Sequence, residues 1–397
     1  VRFIFAAIAG NRLNNSKRCR RKRALACFLF GQSPPTALKF CNDAMTLITL
    51  QVETLARETI EKFEMPGIAV LAAQGGANVE ALSIGADAAG APVGKESLFI
   101  VASLTKLATA LCVLRLADAG AFALDDALET YVPDAAGARD GVTLRALLCH
   151  TAGLPQDLPN GEELYGRPLA WQEIARECLR VELERAPRSR VVYGNVGYGL
   201  LAIAVERVTR ENFAVVLQKW VLKPLDIEGY LGDEPPRAPM NIADVRSRHA
   251  GTDIEPYNSR YYRSLALPWS QLVTTTAGAL KLVRAFAGVP HGFLSDALRH
   301  DAISNQTDDL PGGYGGRFDY EKCAWGLGAD IKGDKKPHWT PPNASAQTFG
   351  HAGASGCVVW HDPAANVSWG IFGTRTADNA WLVRAAPKIG AAILEVS

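Results

Sequence analysis

The chain has 397 residues, 48% of them hydrophobic and 21% charged, with a formal net charge of +1. Such a chain buries a large core in one composite fold or two domains. Near-neutral charge excludes a general nucleic-acid binder, and no apolar run reaches the roughly 18 residues of a membrane span. The charge is uneven: nine of the 42 Lys and Arg but one of the 41 acids fall in residues 1–44, leaving 33 bases against 40 acids. None of the eight cysteines, Cys19, Cys27, Cys41, Cys112, Cys149, Cys178, Cys323 and Cys357, forms a Cys-x-x-Cys pair. They are expected to be free thiols in a reducing compartment, the cytoplasm, with no disulfide framework.

Residues 1–44 carry the basic block Lys17 to Arg23 and a short apolar run, Ala24 to Phe30. They are read as a basic leader or extension without a folded role, with Met45 opening the globular pattern; as an export signal they would place the protein in the periplasm or outside the cell. Residues 49–63 have the spacing of an amphipathic helix, stopped by Pro66-Gly67. Ile68 to Ala73 and Val79 to Ile84, joined across Gly75-Gly76, predict a β-hairpin. Leu98 to Val101 predicts a strand running into a helix that ends near Gly120. Thr143 predicts a cap on a short helix over 144–149, and further helices are expected over 171–179, 197–209, 212–222 and 275–286. Residues 232–270, rich in proline and charge, predict an irregular lid or substrate-facing insert. From Trp325 onward strands are expected over 325–331, 348–351, 356–360 and 367–372, then a closing helix over 381–396. The fold class is α+β: an antiparallel sheet from both chain ends, about 49–101 and 321–397, with a mostly helical region, about 102–320, between them.

Three clusters carry chemistry. Ser103 and Lys106 stand one helical turn apart at a helix start, so the amine can reach the hydroxyl. In a dry pocket the ammonium form is disfavoured and the lysine can act as base toward an activated serine. Tyr193-Gly194-Asn195 precedes the helix at 197. A phenol beside a lysine ammonium is expected to fall below its usual pKa of about 10 and to move protons, with Asn195 supporting Lys106 or a substrate carbonyl. Gly350-His351-Ala352-Gly353-Ala354 offers a small-residue strand edge, and the N–H groups of Ser103 and Ala354 can pair as an oxyanion hole.

Ser103-x-x-Lys106, Tyr193-x-Asn195 and His351-x-Gly353, in that order, resemble the serine β-lactamase and penicillin-binding superfamily. The chain is closest in pattern to class C-type β-lactamases and family VIII carboxylesterases. Leu147-Leu148-Cys149-His150-Thr151-Ala152-Gly153-Leu154 and the segment Tyr193 to Leu201 are similar to that family's flanking text, and the likeness covers roughly residues 50–397. The resemblance implies a β-lactamase/transpeptidase-like fold, Ser103 as acylated nucleophile, Lys106 and Tyr193 sharing acid and base work, and Asn195 in support. His351-Ala352-Gly353 stands where the family has Lys-Thr-Gly. A histidine is mostly neutral at pH 7, so an anchor for substrate carboxylates is weakened while neutral esters lose less. His351, Gly353 and Trp325 are expected to bind substrate.

The rival patterns are poorer. Ala81-Leu82-Ser83-Ile84-Gly85 lacks the first glycine of a hydrolase elbow. Cys149-His150 reads as a core thiol beside a histidine satisfied by the backbone, and His351, His361 and Asp362 lack metal-ligand spacing. The sequence therefore predicts a serine hydrolase forming an acyl-enzyme on small-molecule esters or amides, without cofactor, metal or nucleic acid. Short-chain esters are favoured; the alternative is a β-lactam or D-amino-acid peptide hydrolase, and an inactive ligand-binding protein on the same fold is the reading from another class.

Overall fold

A computed structural model describes residues 46–167, 169–316 and 318–397. The expectations for 1–44, with Cys19, Cys27 and Cys41, lie outside the described residues. Thr49 caps the first helix, Leu50–Phe63, its hydroxyl accepting the Val52 N–H. The chain then forms the expected hairpin of β1 (Gly67–Gln74) and β2 (Glu80–Gly85). β3 (Leu98–Ile100) follows, then β4 (Val191–Val192), β5 (Gly229–Tyr230), β6 (Val273–Thr275), β7 (Gly312–Gly313) and β8 (Asp319–Tyr320) through the middle. β9 (Asp330–Ile331), β10 (Phe349–Gly353), β11 (Cys357–Asp362) and β12 (Val367–Gly373) close the strand set.

The main sheet has the order β2-β1-β12-β11-β10-β9, and its paired neighbours are antiparallel. Strands from the two chain ends meet at β1 and β12, where Val70 faces Ile371. Successive side chains alternate between faces. Ile68, Val70, Ala72, Trp360, Trp369 and Ile371 pack with Val52, Ala56, Trp381 and Ile389 of the terminal helices. Ala69, Leu71, Phe349, Val359 and Phe372 face the other way, into the core shared with Leu107, Leu111, Leu200 and Leu280. Each fully buried Val or Ile in these layers is worth roughly 1.5–3 kcal/mol. Helices thus cover both faces of the sheet.

The helix Thr105–Asp118 runs through the middle of the second core, and Thr105 to Leu114 are all buried. A helix apolar on every side is one enclosed on every side. The helices Leu144–Leu148, Trp171–Leu179, Val196–Thr209, Thr276–Phe286 and Trp381–Leu394 lie where expected. Thr143 and Thr275 supply caps through their hydroxyls.

Four expectations need correction. β3 does not join the main sheet; it pairs with β6, which also pairs with β5, in a separate three-stranded sheet. The run 325–331 is a strand only at Asp330–Ile331, because Gly328 takes φ +107° and the Gly326 N–H bonds back to the Ala329 carbonyl. The segment 212–222 is an α-helix, Phe213–Leu217, that widens into a π turn over Gln218–Leu222. A helix at Asp296–Ile303, capped by Ser295, went unpredicted because its exposed face carries no long apolar period. The 232–270 insert is largely irregular, as expected, with one short helix at Arg260–Ser264.

Candidate active site

Ser103 is the middle residue of a 3₁₀ turn, Ala102–Leu104, that feeds straight into the buried helix. Ala102 has φ +43°, a conformation costing a non-glycine residue about 1–3 kcal/mol. The neighbouring strand over-determines it. β10 passes so close that a Cβ on Gly353 would lie 2.6 Å from the Val101 carbonyl oxygen, so only glycine fits. Cys357 Sγ also reaches that carbonyl, at 3.4 Å. The turn after β10, bearing exposed Ala354, is thereby set beside Ser103.

Lys106 has no exposed surface. Its ammonium donates to Asn195 Oδ1 at 2.8 Å and to the Trp269 carbonyl at 3.2 Å, and reaches Ser103 Oγ at 3.5 Å. No carboxylate among the described residues touches it. Burial pulls its pKa down to about 7, partly opposed by the more distant charge of Asp157. A lysine so placed is half neutral near pH 7 and can accept a proton.

The Tyr193 hydroxyl hydrogen-bonds with Ser103, and its ring lies 4.8 Å from Lys106 Nζ. The amine and phenol, distant in sequence, converge on one hydroxyl as the motifs require. The expected acidity of the phenol is reversed, however. Burial pushes Tyr193 up, with Asp330 and Asp157 adding to the rise and the Ser103 bond opposing it. Desolvation outweighs the lysine because Lys106 is itself held near neutrality. Tyr193 is therefore a proton donor at rest, and Lys106 is the one of the two that stands unprotonated, ready to accept a proton, near pH 7.

The turn carrying Tyr193 and Asn195 is fixed from below. The Asn195 N–H donates to the Gln156 carbonyl at 2.7 Å, and a Cβ on Gly194 would lie 2.8 Å from that oxygen. His150 Nδ1 accepts the Gly194 N–H at 3.3 Å, so its other nitrogen carries the proton. That bears out a histidine satisfied by the backbone on one side; its Nε2 has no partner among the described residues. Behind the turn, Tyr193, His150, Trp325, Tyr314 and His351 form an aromatic cluster with ring centroids 4.8–5.9 Å apart.

His351 is buried, and its Nδ1–H donates to the Ala352 carbonyl at 2.7 Å. Burial pulls its pKa down to about 4, with the charge of Lys106 adding to the fall. It is thus more firmly neutral than an ordinary histidine. The expectation that Trp325 binds substrate needs correction. The indole has no exposed surface and backs Tyr193 and His351 from inside the protein. The accessible rim includes Ser103, Tyr193, Asn195, Ala352 and Ala354. Two contributors gave no sequence signal: the Trp269 carbonyl, whose side chain carries no part of the role, and Asp157, one acid in a polar loop. Asp157 accepts from Asn195 Nδ2 at 3.2 Å.

Comparison with known proteins follows the same lines. A family model described as Beta-lactamase matches residues 52–392. Protein flp of Staphylococcus aureus (strain MW2) is 26% identical over 184 residues, 45% of this chain and 37% of that protein. The chain spans little more than a third of the length of the curated relatives it matches first. Among solved structures, EstCE1, a hydrolase with promiscuous acyltransferase activity, superposes with a TM-score of 0.69 at 21% identity, covering 88% of this chain and 98% of that one. The D-amino acid amidase of Ochrobactrum anthropi SV3 gives a TM-score of 0.69 at 17% identity, covering 87% and 97%. At these identities the structures show a shared fold.

Proposed function

Since the chain belongs to the beta-lactamase family, we propose that it is a serine hydrolase acylated on Ser103, with short-chain esters as its favoured substrates. The observation that carries this is a buried lysine with no carboxylate in contact among the described residues, pulled down to about pKa 7, within 3.5 Å of the hydroxyl that Tyr193 also engages. Neutral Lys106 takes the Ser103 proton as Oγ bonds to the ester carbonyl carbon. The N–H groups of Ser103 and Ala354 stabilise the resulting oxyanion, each worth roughly 3 kcal/mol. As the carbon–oxygen bond to the alcohol breaks, Tyr193 donates its proton to the leaving oxygen and is reprotonated from Lys106. Water then attacks the acyl-enzyme with the same groups acting in reverse, releasing the acid and restoring Ser103. Asn195 holds the lysine through its 2.8 Å bond.

Neutral His351 supports the ester preference, since it offers no fixed positive charge to a substrate carboxylate. The second reading, cleavage of β-lactams or D-amino-acid amides, uses the same acyl-enzyme and is supported by the D-amino acid amidase likeness in fold. Hydrolysis rates for p-nitrophenyl butyrate and nitrocefin order the two: butyrate is expected to dominate, and strong nitrocefin turnover with little esterase activity reverses the order. Intact mass after a fluorophosphonate is expected to show one adduct, absent in Ser103→Ala. A wild-type protein that forms none is an inactive binding protein instead.

A further inference from the structure

Asp157 stands at the rim of the site, reaching solvent on one side while protein packs closely around its carboxylate. Oδ1 accepts the Leu158 N–H at 2.9 Å and the Tyr165 hydroxyl at 3.2 Å, and Oδ2 accepts Asn195 Nδ2 at 3.2 Å. A carboxylate offers about four lone-pair positions, so one stays open. No Lys, Arg or His among the described residues forms an ion pair with it, whereas other surface acids such as Asp134 and Asp308 have arginine partners. The nearest cation within the site, Lys106, is separated from it by the whole Asn195 amide. The partly exposed rings of Tyr165 and Tyr262 lie close enough to feel its charge. A negative group with spare acceptor capacity, flanked by phenols and linked to the reacting serine through Asn195 and Lys106, is built for a small cation.

We propose that Asp157 binds the ammonium of substrates carrying a primary amine on the carbon next to the scissile carbonyl, so that aminoacyl esters are the enzyme's preferred class. This rests on the acyl-enzyme reading above and refines its substrate. Asn195 joins the two halves of the site: its oxygen holds the base, and its amide nitrogen faces the carboxylate that holds the amine. The same arrangement disfavours acyl groups bearing a carboxylate, which would meet Asp157 without a compensating lysine at position 351.

The test compares phenylalanine methyl ester, each enantiomer separately, with 3-phenylpropionate methyl ester, which lacks only the amine. For the faster enantiomer at pH 7, kcat/KM is expected to exceed that of the amine-free ester by about 10-fold, the scale of one hydrogen bond to a charged group. The ratio should fall toward unity by about pH 9.5, beyond the roughly 8 of an α-amino group; titration of Lys106 affects both esters and cancels. Asp157→Asn is expected to bring the pH 7 ratio to about one. If Asp157 only positions Asn195, both esters slow together in the variant and the ratio survives, which overturns the subsite. A wild-type ratio at or below one overturns it without any variant. In either case fluorophosphonate labelling of Ser103 keeps the acyl-enzyme reading intact, whereas its absence removes both.

Discussion

Lys106 and Lys335 are both buried, and each ammonium sits over a ring of the same aromatic cluster: Tyr193 at 4.8 Å for Lys106, Trp325 at 4.9 Å for Lys335. They differ in what they touch. Lys335 bonds to Asp330, which also receives Tyr314 and His338, and to the Ala324 carbonyl at 2.7 Å. Burial alone would raise Asp330, but Lys335 and His338 hold its carboxyl well below the usual range. Among the described residues, Lys106 hydrogen-bonds to an amide, a carbonyl and a hydroxyl and to no carboxylate. The same degree of burial therefore gives a fixed ion pair in one place and a titrating base in the other. A carboxylate in contact makes the difference.

The largest expected effect breaks the comparison at Lys106. Lys106→Met should lower kcat/KM for p-nitrophenyl butyrate by about 10⁴-fold, the upper range for general acid–base catalysis. Lys106→Arg should do no better, since a guanidinium stays protonated. In the wild type, activity should rise with pH through a midpoint near 7, because the base must be neutral and its pKa is about 7. A profile flat from pH 5 to 9 would refute Lys106 as the base. The paired lysine should respond in stability instead. Lys335→Met leaves Asp330 buried without its ammonium, held only by Tyr314 and His338, and is expected to cost about 3–5 kcal/mol in urea unfolding at pH 7. Lys106→Met should shift stability by less than about 1 kcal/mol at that pH, since it relieves a dry amine while stranding the Asn195 amide oxygen and the Trp269 carbonyl, Ser103 keeping its bond with Tyr193. Between about 7 and 10.5 the unfolded chain holds the Lys106 proton and the folded chain does not, so wild-type stability gains from this group as pH rises. Equal losses from the two methionine variants would mean that the two lysines do the same job.

Tyr193 lies between the two regions, with Lys106 over its ring, Tyr314 packed at 4.9 Å and Trp325 at 5.7 Å. Tyr193→Phe keeps the ring and removes the hydroxyl. It should slow turnover by at least about 100-fold while leaving the unfolding midpoint nearly unchanged. A large stability loss with little rate effect would assign Tyr193 to the cluster behind it and not to the serine.

The sequence showed the parts of this arrangement that follow chain-local rules. The Thr143 cap, the Gly75-Gly76 hairpin and the strands β10 to β12 each follow from a few neighbouring residues. Ser103, Lys106, Tyr193 and Asn195 were legible because their order and spacing match a family pattern. What escaped depends on contacts between distant segments. β3 was placed in the wrong sheet because strand composition does not name the partner, which is Val273–Thr275. The rise in the Tyr193 pKa depends on the closure of Trp325, Tyr314 and His150 around it. The Asp330–Lys335 pair lies in a segment read as plain strand and loop, and only the fold shows that water is excluded there.

The smallest effect comes from adding a third lysine to the pair. His351 feels the charges of Lys106, Asp330 and Lys335 from its buried place on β10. His351→Lys puts an ammonium there with no carboxylate of its own, so it resembles Lys106 more than Lys335. Two consequences follow. The new charge should press Lys106 further toward its neutral form and move the midpoint of the pH–activity curve below 7. It should also offer a counter-ion to incoming carboxylates, raising kcat/KM for a carboxylate-bearing ester relative to its neutral analogue by about 10-fold, the scale of one charge-assisted contact. The two readouts separate the possible fates of the side chain. A moved midpoint without a changed ratio means the ammonium stays among the rings, while a changed ratio without a moved midpoint means that it has swung out to the rim beside Ala352. An unchanged ratio and midpoint would show that position 351 does not decide between neutral and anionic substrates, and the ester preference would then have to rest on Asp157 alone.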